Sequence, residues 1–263
     1  MQKRSILAAI FLLLLMLTAA CSDSQNTEPA DKKEKVELTI SAAASLKDAL
    51  DVIGYTYQEN HPKVKLRFNF GGSGSLQKQI SQGAPVDLFF SAAEDKFDLL
   101  VEEDLIAAED KLNLLGNELV LIVPKDESEQ ASFEDLKKEG IEKVSIGIPE
   151  SVPAGKYAKE SLEGLKVWTD VEPKIVYAKD VRQVLSYVET GNVDAGIVYK
   201  TDALGSDKVH MAATADPNTH TPIIYPVGIM KDSKQYKAAK DFYSYLQSNA
   251  ALEVFEDYGF TVR

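Results

Sequence analysis

From Val36 onward the chain repeats one pattern, a short apolar run followed by an amphipathic stretch at helical period, and that alternation restricts it to the α/β class. The apolar runs fall at 36–40, 86–91, 118–123, 144–148, 174–177, 195–199 and 223–230. Val64, Leu66, Phe68 and Phe70 alternate with Lys65, Arg67 and Asn69, as a half-buried strand requires. Short runs of this kind read as mainly parallel strands covered by helices on both faces and joined by right-handed crossovers. One helix is predicted from about Leu46, with Ala49, Leu50, Ile53 and Tyr57 on its apolar face, and a second carries Leu76 and Ile80 and stops at Gly83. Others are predicted from near Asp95, Phe133, Gly155, Val181 and Asp232, with a last one over 250–258. Cys21 is the single cysteine of 263 residues, so neither an internal disulfide nor a cysteine-based zinc site can brace the fold, which rests on its apolar core.

The first 20 residues read as a secretory leader: Lys3 and Arg4, an apolar stretch over 6–17, then Thr18-Ala19-Ala20. That stretch is well short of the ~20 apolar residues a membrane-crossing helix needs. Cys21, directly after it, resembles the lipidated cysteine of bacterial lipoproteins, with Thr18 where leucine is usual. The segment 21–35 is polar after its cysteine and contains Pro29, and is predicted to be a flexible tether between lipid and folded body. The chain carries 41 acidic against 29 basic residues, a net charge of −12, and two of the basic ones lie in the leader. Such a surface disfavours nucleic acid and anionic lipid as partners, and any anionic ligand must be held by local dipoles against the overall field.

Four stretches of small uncharged residues sit where a strand or loop feeds a helix: Ala44-Ser45-Leu46, Gly71-Gly72-Ser73-Gly74-Ser75, Val152-Pro153-Ala154-Gly155, and Val181 after Asp180. Helix starts offer unpaired N–H groups and the positive end of the peptide dipole, so several converging make an anion site without a cationic side chain. Each stretch alone also reads as an ordinary cap or turn: serines cap helices, Pro-Ala-Gly opens them, and Asp180 is the N-cap of the Val181 helix, whose core face is Val181, Val184, Leu185 and Val188. Arg182 reads as a counter-ion for a ligand, or more simply as a solvated side chain or a partner of Asp180. Tyr199, ending the 195–199 strand just before a helix, points its hydroxyl either into a cleft or at a protein acceptor.

Taken jointly, Ala42-Ala43-Ala44-Ser45-Leu46, Gly83-Ala84-Pro85-Val86-Asp87-Leu88-Phe89, Leu115-Gly116-Asn117-Glu118-Leu119-Val120, Pro149 through Ala158, Gly196-Ile197-Val198-Tyr199 and Tyr258-Gly259-Phe260 resemble the periplasmic molybdate-binding proteins of ABC importers. The likeness covers about 36–260. It implies a two-lobed periplasmic-binding-protein fold of type II, each lobe a mainly parallel sheet flanked by helices, with 36–116 and 222–263 forming one lobe, 117–221 the other, and the ligand cleft between them. It also implies that Ser45, Ser73, Ala154, Val181 and Tyr199 hold a tetrahedral oxyanion, molybdate or tungstate, for delivery to a membrane permease. The chain departs from the family pattern around Ser73, where Gly72 and Gly74 replace serines that some relatives carry. The expectation is a lipid-anchored, extracytoplasmic, monomeric binding protein with no cofactor, no directly coordinated metal cation and no enzymatic activity.

A fully deprotonated dianion suits such a recipe, because it has acceptor sites only and is best met by donors only. Sulfate makes the same demand and is smaller, so a sulfate or other oxyanion receptor is the close alternative. A secreted serine hydrolase is the remote one, since Gly71-Gly72-Ser73-Gly74-Ser75 misses the nucleophile-elbow pattern by its last residue. None of His61, His210 and His220 lies in a motif that marks a general base. A divalent-cation receptor would need a ligand motif, and no such motif is present.

Overall fold

The computed structural model describes residues 35–125 and 131–263. The expected leader, Cys21 and the tether as far as residue 34 lie outside the described residues. Within them no helix is long and apolar enough to cross a membrane.

The alternation becomes two sheets. β1 (Val36–Ala43) runs through a 3-10 turn, Ala44–Leu46, into α1 (Lys47–Asn60), followed by β2 (Val64–Gly71), α2 (Ser73–Ser81), β3 (Leu88–Phe90), α3 (Glu94–Glu102) and β4 (Leu112–Gly116). The chain then crosses at Asn117 and Glu118 into β5 (Leu119–Pro124), β6 (Val144–Gly147), α4 (Pro153–Gly164), α5 (Trp168–Val171), β7 (Ile175–Ala178), α6 (Val181–Glu189), β8 (Ala195–Tyr199), α7 (Lys200–Leu204) and β9 (Val209–Thr214). It returns as β10 (Ile224–Ile229), then α8 (Tyr236–Tyr245), α9 (Asn249–Asp257) and β11 (Thr261–Val262). Strand order is β11-β4-β10-β3-β1-β2 in the six-stranded sheet and β7-β6-β8-β5-β9 in the five-stranded one. The molecule is two-lobed, with the chain passing twice between the lobes.

Both sheets are mixed, where short apolar strands predict mainly parallel ones. β1 is parallel to β2 and β3, and β6 to β7 and β8, but β10 is antiparallel to β3 and β4, and β5 to β8 and β9. The double crossing is the reason. β4 leaves the first sheet where β10 re-enters it, and β5 enters the second where β9 leaves, so each of these pairs runs in opposite directions. β4, β9 and β11 are absent from the strands read in sequence; β9 has no alternating pattern and is largely exposed, and β11 is two residues long.

The predicted helix faces are buried: Ala49, Leu50, Ile53 and Tyr57 on α1, and Val181, Val184, Leu185 and Val188 on α6. Burying one such aliphatic side chain contributes about 1.5–3 kcal/mol. Two predicted helix starts differ. Near 133 there is only a 3-10 turn, Glu134–Lys137, and the segment after Asp232 stays a turn until Tyr236, because Ser233 is tied to the Met230 carbonyl and to Asp87.

Strand register brings the helix starts together in pairs. β1 and β2 pair from Val36 with Val64 to Ala43 with Gly71, so the 3-10 turn carrying Ser45 and the start of α2 leave the sheet side by side. Gly147 opposite Ala178 does the same for the loops that feed α4 and α6.

Candidate functional site

These strand ends face one cavity, lined from the first lobe by Ala43, Ala44, Ser45, Gly71, Gly72, Ser73 and Ala92, and from the second by Val152, Pro153, Ala154, Val181 and Tyr199. Ser45, Ser73, Ala154, Val181 and Tyr199, far apart in sequence, thus share one wall. The space is small, about 10 Å³ for the centre of a water-sized sphere, which is about what a single water needs. Its position outside the C-terminal ends of parallel strands is where open α/β sheets place ligands.

The donors come from local chemistry. α2 and α4 start with Gly72 and Val152 at their N-caps, neither of which supplies a capping side chain, and Pro153 opens α4. Asp180 does cap α6, accepting the Gln183 N–H at 2.9 Å. The amides of Ser73, Ala154 and Val181 have no acceptor among the described residues. Three helix starts of this kind at one cavity leave N–H groups and dipole ends directed at whatever occupies it.

Three hydroxyls add to them. Ser73 is fully buried, and its Oγ accepts the Ala92 N–H at 2.9 Å, which leaves the serine's own proton for the cavity. Ser45 Oγ is 2.9 Å from the Tyr225 hydroxyl. Tyr199 is buried and its hydroxyl has no hydrogen-bond partner among the described residues. Burial, with smaller contributions from Tyr225, Tyr157 and Asp202, pushes its pKa well above that of an ordinary phenol, so it stays a neutral donor.

Among the described residues no lysine, arginine, aspartate or glutamate lines the cavity. Arg182 neither reaches it nor pairs with Asp180. Its guanidinium makes a two-pronged bridge to Asp48 on α1, at 2.7 and 3.3 Å, because the Asp180 carboxylate is occupied as a cap and α1 lies directly opposite. Asp202 on α7 is buried 3.9 Å from Arg182, with no side-chain hydrogen-bond partner for either oxygen among the described residues. Burial raises its pKa to about 7 against the pull of Arg182.

The lobes meet across the cleft. Gly74 N–H donates to the Ser151 carbonyl at 3.0 Å, the Tyr157 hydroxyl to the Ala92 carbonyl at 3.4 Å, and Lys156 pairs with Asp95 at 3.2 Å. A Cβ at Gly72 would stand 2.8 Å from the Ser151 oxygen, and one at Gly74 2.9 Å from Ser151 Cα, so glycine is what lets the two main chains approach. Sequence reasoning passed over Ala92, which follows the 86–91 run and contributes a backbone amide rather than a side chain, and Asn117 and Tyr225 as individual side chains. No local signal marks the last two, which meet each other and their hydroxyl partners Thr201 and Ser45 across more than 80 residues. Ser73 has the Ala92 amide as its partner and, among the described residues, no histidine.

Residues 38–261 match the family described as bacterial extracellular solute-binding protein. The chain is 57% identical over 261 residues, 99% of its length and 98% of the relative's, to the lipoprotein YvgL of Bacillus subtilis (strain 168), provisionally named an ABC transporter substrate-binding lipoprotein. It is 39% identical over 232 residues, 86% of this chain and 91% of the relative, to the molybdate-binding protein ModA of Haemophilus influenzae. Among solved structures, the substrate-binding domain of a provisionally named molybdenum ABC transporter from Clostridium difficile matches with a TM-score of 0.67 at 45% identity, covering 86% of this chain and 98% of that one.

Proposed function

The chain belongs to the bacterial extracellular solute-binding protein family, and from that membership we propose that it captures molybdate or tungstate outside the cytoplasm and delivers the anion to the permease of an ABC transporter. The observation that carries the reading is a cavity walled by both lobes with N–H and O–H groups and, among the described residues, with no cationic or carboxylate side chain. Ser45, Ser73, Ala154, Val181 and Tyr199 are the proposed ligands. A fully deprotonated tetrahedral dianion fits them, because each of its oxygens is an acceptor. Each donor to a charged oxygen contributes about 1.5–3 kcal/mol net, enough in sum for tight binding after ordering costs. The names of the molybdate-binding relatives support the choice of anion.

In this reading 36–116 with 222–263, and 117–221, are the two bodies, hinged at the two passages between the sheets. Closure across the contacts at Gly74 and Arg182 is the signal the permease reads. The protein acts as a monomer held to the membrane by lipid on Cys21, needs no cofactor and carries out no catalytic step. Calorimetric titration with molybdate, tungstate, sulfate and phosphate tests the assignment. Molybdate and tungstate are expected to bind far more tightly than the others, and sulfate binding more tightly than molybdate overturns the choice of anion.

A further inference from the structure

We propose that Tyr225, oriented by Asn117, is a positioning residue that turns the Ser45 hydroxyl toward the guest as a donor, and so sets the site against oxyanions that carry a proton. The inference rests on the oxyanion reading and extends it to residues outside the cavity wall.

Asn117 lies at the first crossing, between β4 and β5. Its Oδ1 accepts the Glu118 N–H at 2.9 Å, which fixes the amide with Nδ2 on the other side, where it donates to Thr201 Oγ1 at 3.0 Å and to the Tyr225 hydroxyl at 3.1 Å. The phenol oxygen is therefore an acceptor toward Asn117. Its own proton has Ser45 Oγ, at 2.9 Å, as its hydrogen-bond acceptor among the described residues. Ser45 then receives a proton from the protein and must turn its own toward the cavity it lines. Burial pushes the Tyr225 phenol well above its ordinary pKa, outweighing its bonds to Ser45 and Asn117, so the relay keeps its proton at physiological pH.

The direction of the relay has a consequence for selectivity. Ser73 is held in the same sense by the Ala92 amide, so both serines of the first lobe accept from the protein and donate to the guest. A guest oxygen bearing hydrogen meets a second hydrogen at each. Remove the phenol oxygen, and the Ser45 hydroxyl can rotate to accept from such a guest.

The test is a double-mutant cycle on the full chain, read by calorimetry with molybdate and, separately, inorganic phosphate. Tyr225→Phe is expected to weaken molybdate binding about tenfold, Ser45→Ala by at least as much, and the pair by no more than Ser45→Ala alone. In Tyr225→Phe, phosphate is expected to bind more tightly relative to molybdate than in the parent chain. Asn117→Ala, which leaves the phenol in place but removes its direction, should show the same coupling to Ser45 and covers the case in which Tyr225→Phe does not fold. Losses that add, or phosphate affinity that stays undetected or falls in step with molybdate, overturn the relay while the anion assignment stands. A parent chain that binds no molybdate overturns the assignment and the relay with it.

Discussion

The two lobes hold their polar groups in opposite ways. Around the cavity the first lobe presents hydroxyls that the protein already satisfies, Ser45 through Tyr225 and Ser73 through Ala92, whereas the second presents Tyr199 with no partner among the described residues. The same contrast holds for two buried carboxylates. Asp110, before β4, accepts from Tyr236 at 2.8 Å and Lys240 at 2.9 Å, while Asp202 on α7 has no side-chain hydrogen bond among the described residues and Arg182 as its nearby cation. The first lobe is thus built as a finished half-site, and the second keeps groups whose burial becomes favourable only with a guest or a proton in place.

The largest effect that could break this comparison is in pH. Asp202, facing Arg182 with Asp48 and Asp180 adding like charge, has a folded-state pKa of about 7, raised by burial above its unfolded value near 4. A raised carboxyl pKa means the folded state binds the proton more tightly, so this group's contribution is fully present below about pH 4 and is lost as pH rises to about 7. Across that window the loss is on the order of 4 kcal/mol at most. Asp202→Asn should therefore gain stability relative to the parent chain between about pH 4 and 7, and hold a constant lead above it. Denaturant melts at several pH values check this, and a difference independent of pH removes Asp202 from the comparison.

A sharper test sets one hydroxyl of each lobe against the other. Ser73→Ala strands the buried Ala92 N–H and should cost about 1–3 kcal/mol in the stability of the empty protein as well as in anion affinity. Tyr199→Phe removes an unpartnered hydroxyl, so anion binding should weaken by about 1–3 kcal/mol while the empty protein melts no lower than before. Melting curves and anion titrations on both variants decide it, and equal stability losses would mean that the lobes do not differ as described.

The smallest effect lies at the cleft rim. Lys156 and Asp95, with side chains 30% and 42% exposed, bridge the lobes at 3.2 Å. Lys156→Gln is expected to weaken anion binding by about 0.2–1 kcal/mol, and by less in high salt. Titration at two ionic strengths measures it. A larger, salt-independent loss would place more of the closure energy at the rim than at the cavity.

What the sequence determined by itself was local: the alternation that makes an α/β fold, the buried faces of α1 and α6, the Asp180 cap, and helix starts free of charged side chains at Ser73 and Ala154. Each depends on residues within a turn or two of one another, so periodicity and capping chemistry carry the information. Only the tertiary structure decided which strands run antiparallel, that Arg182 reaches Asp48 rather than Asp180, and that Asn117 and Tyr225 stand behind Ser45, 72 and 180 residues away in sequence. Those pairings arise from a chain that crosses between its sheets twice. A crossing brings together side chains that share no local pattern, and no short window of sequence records which of them will meet.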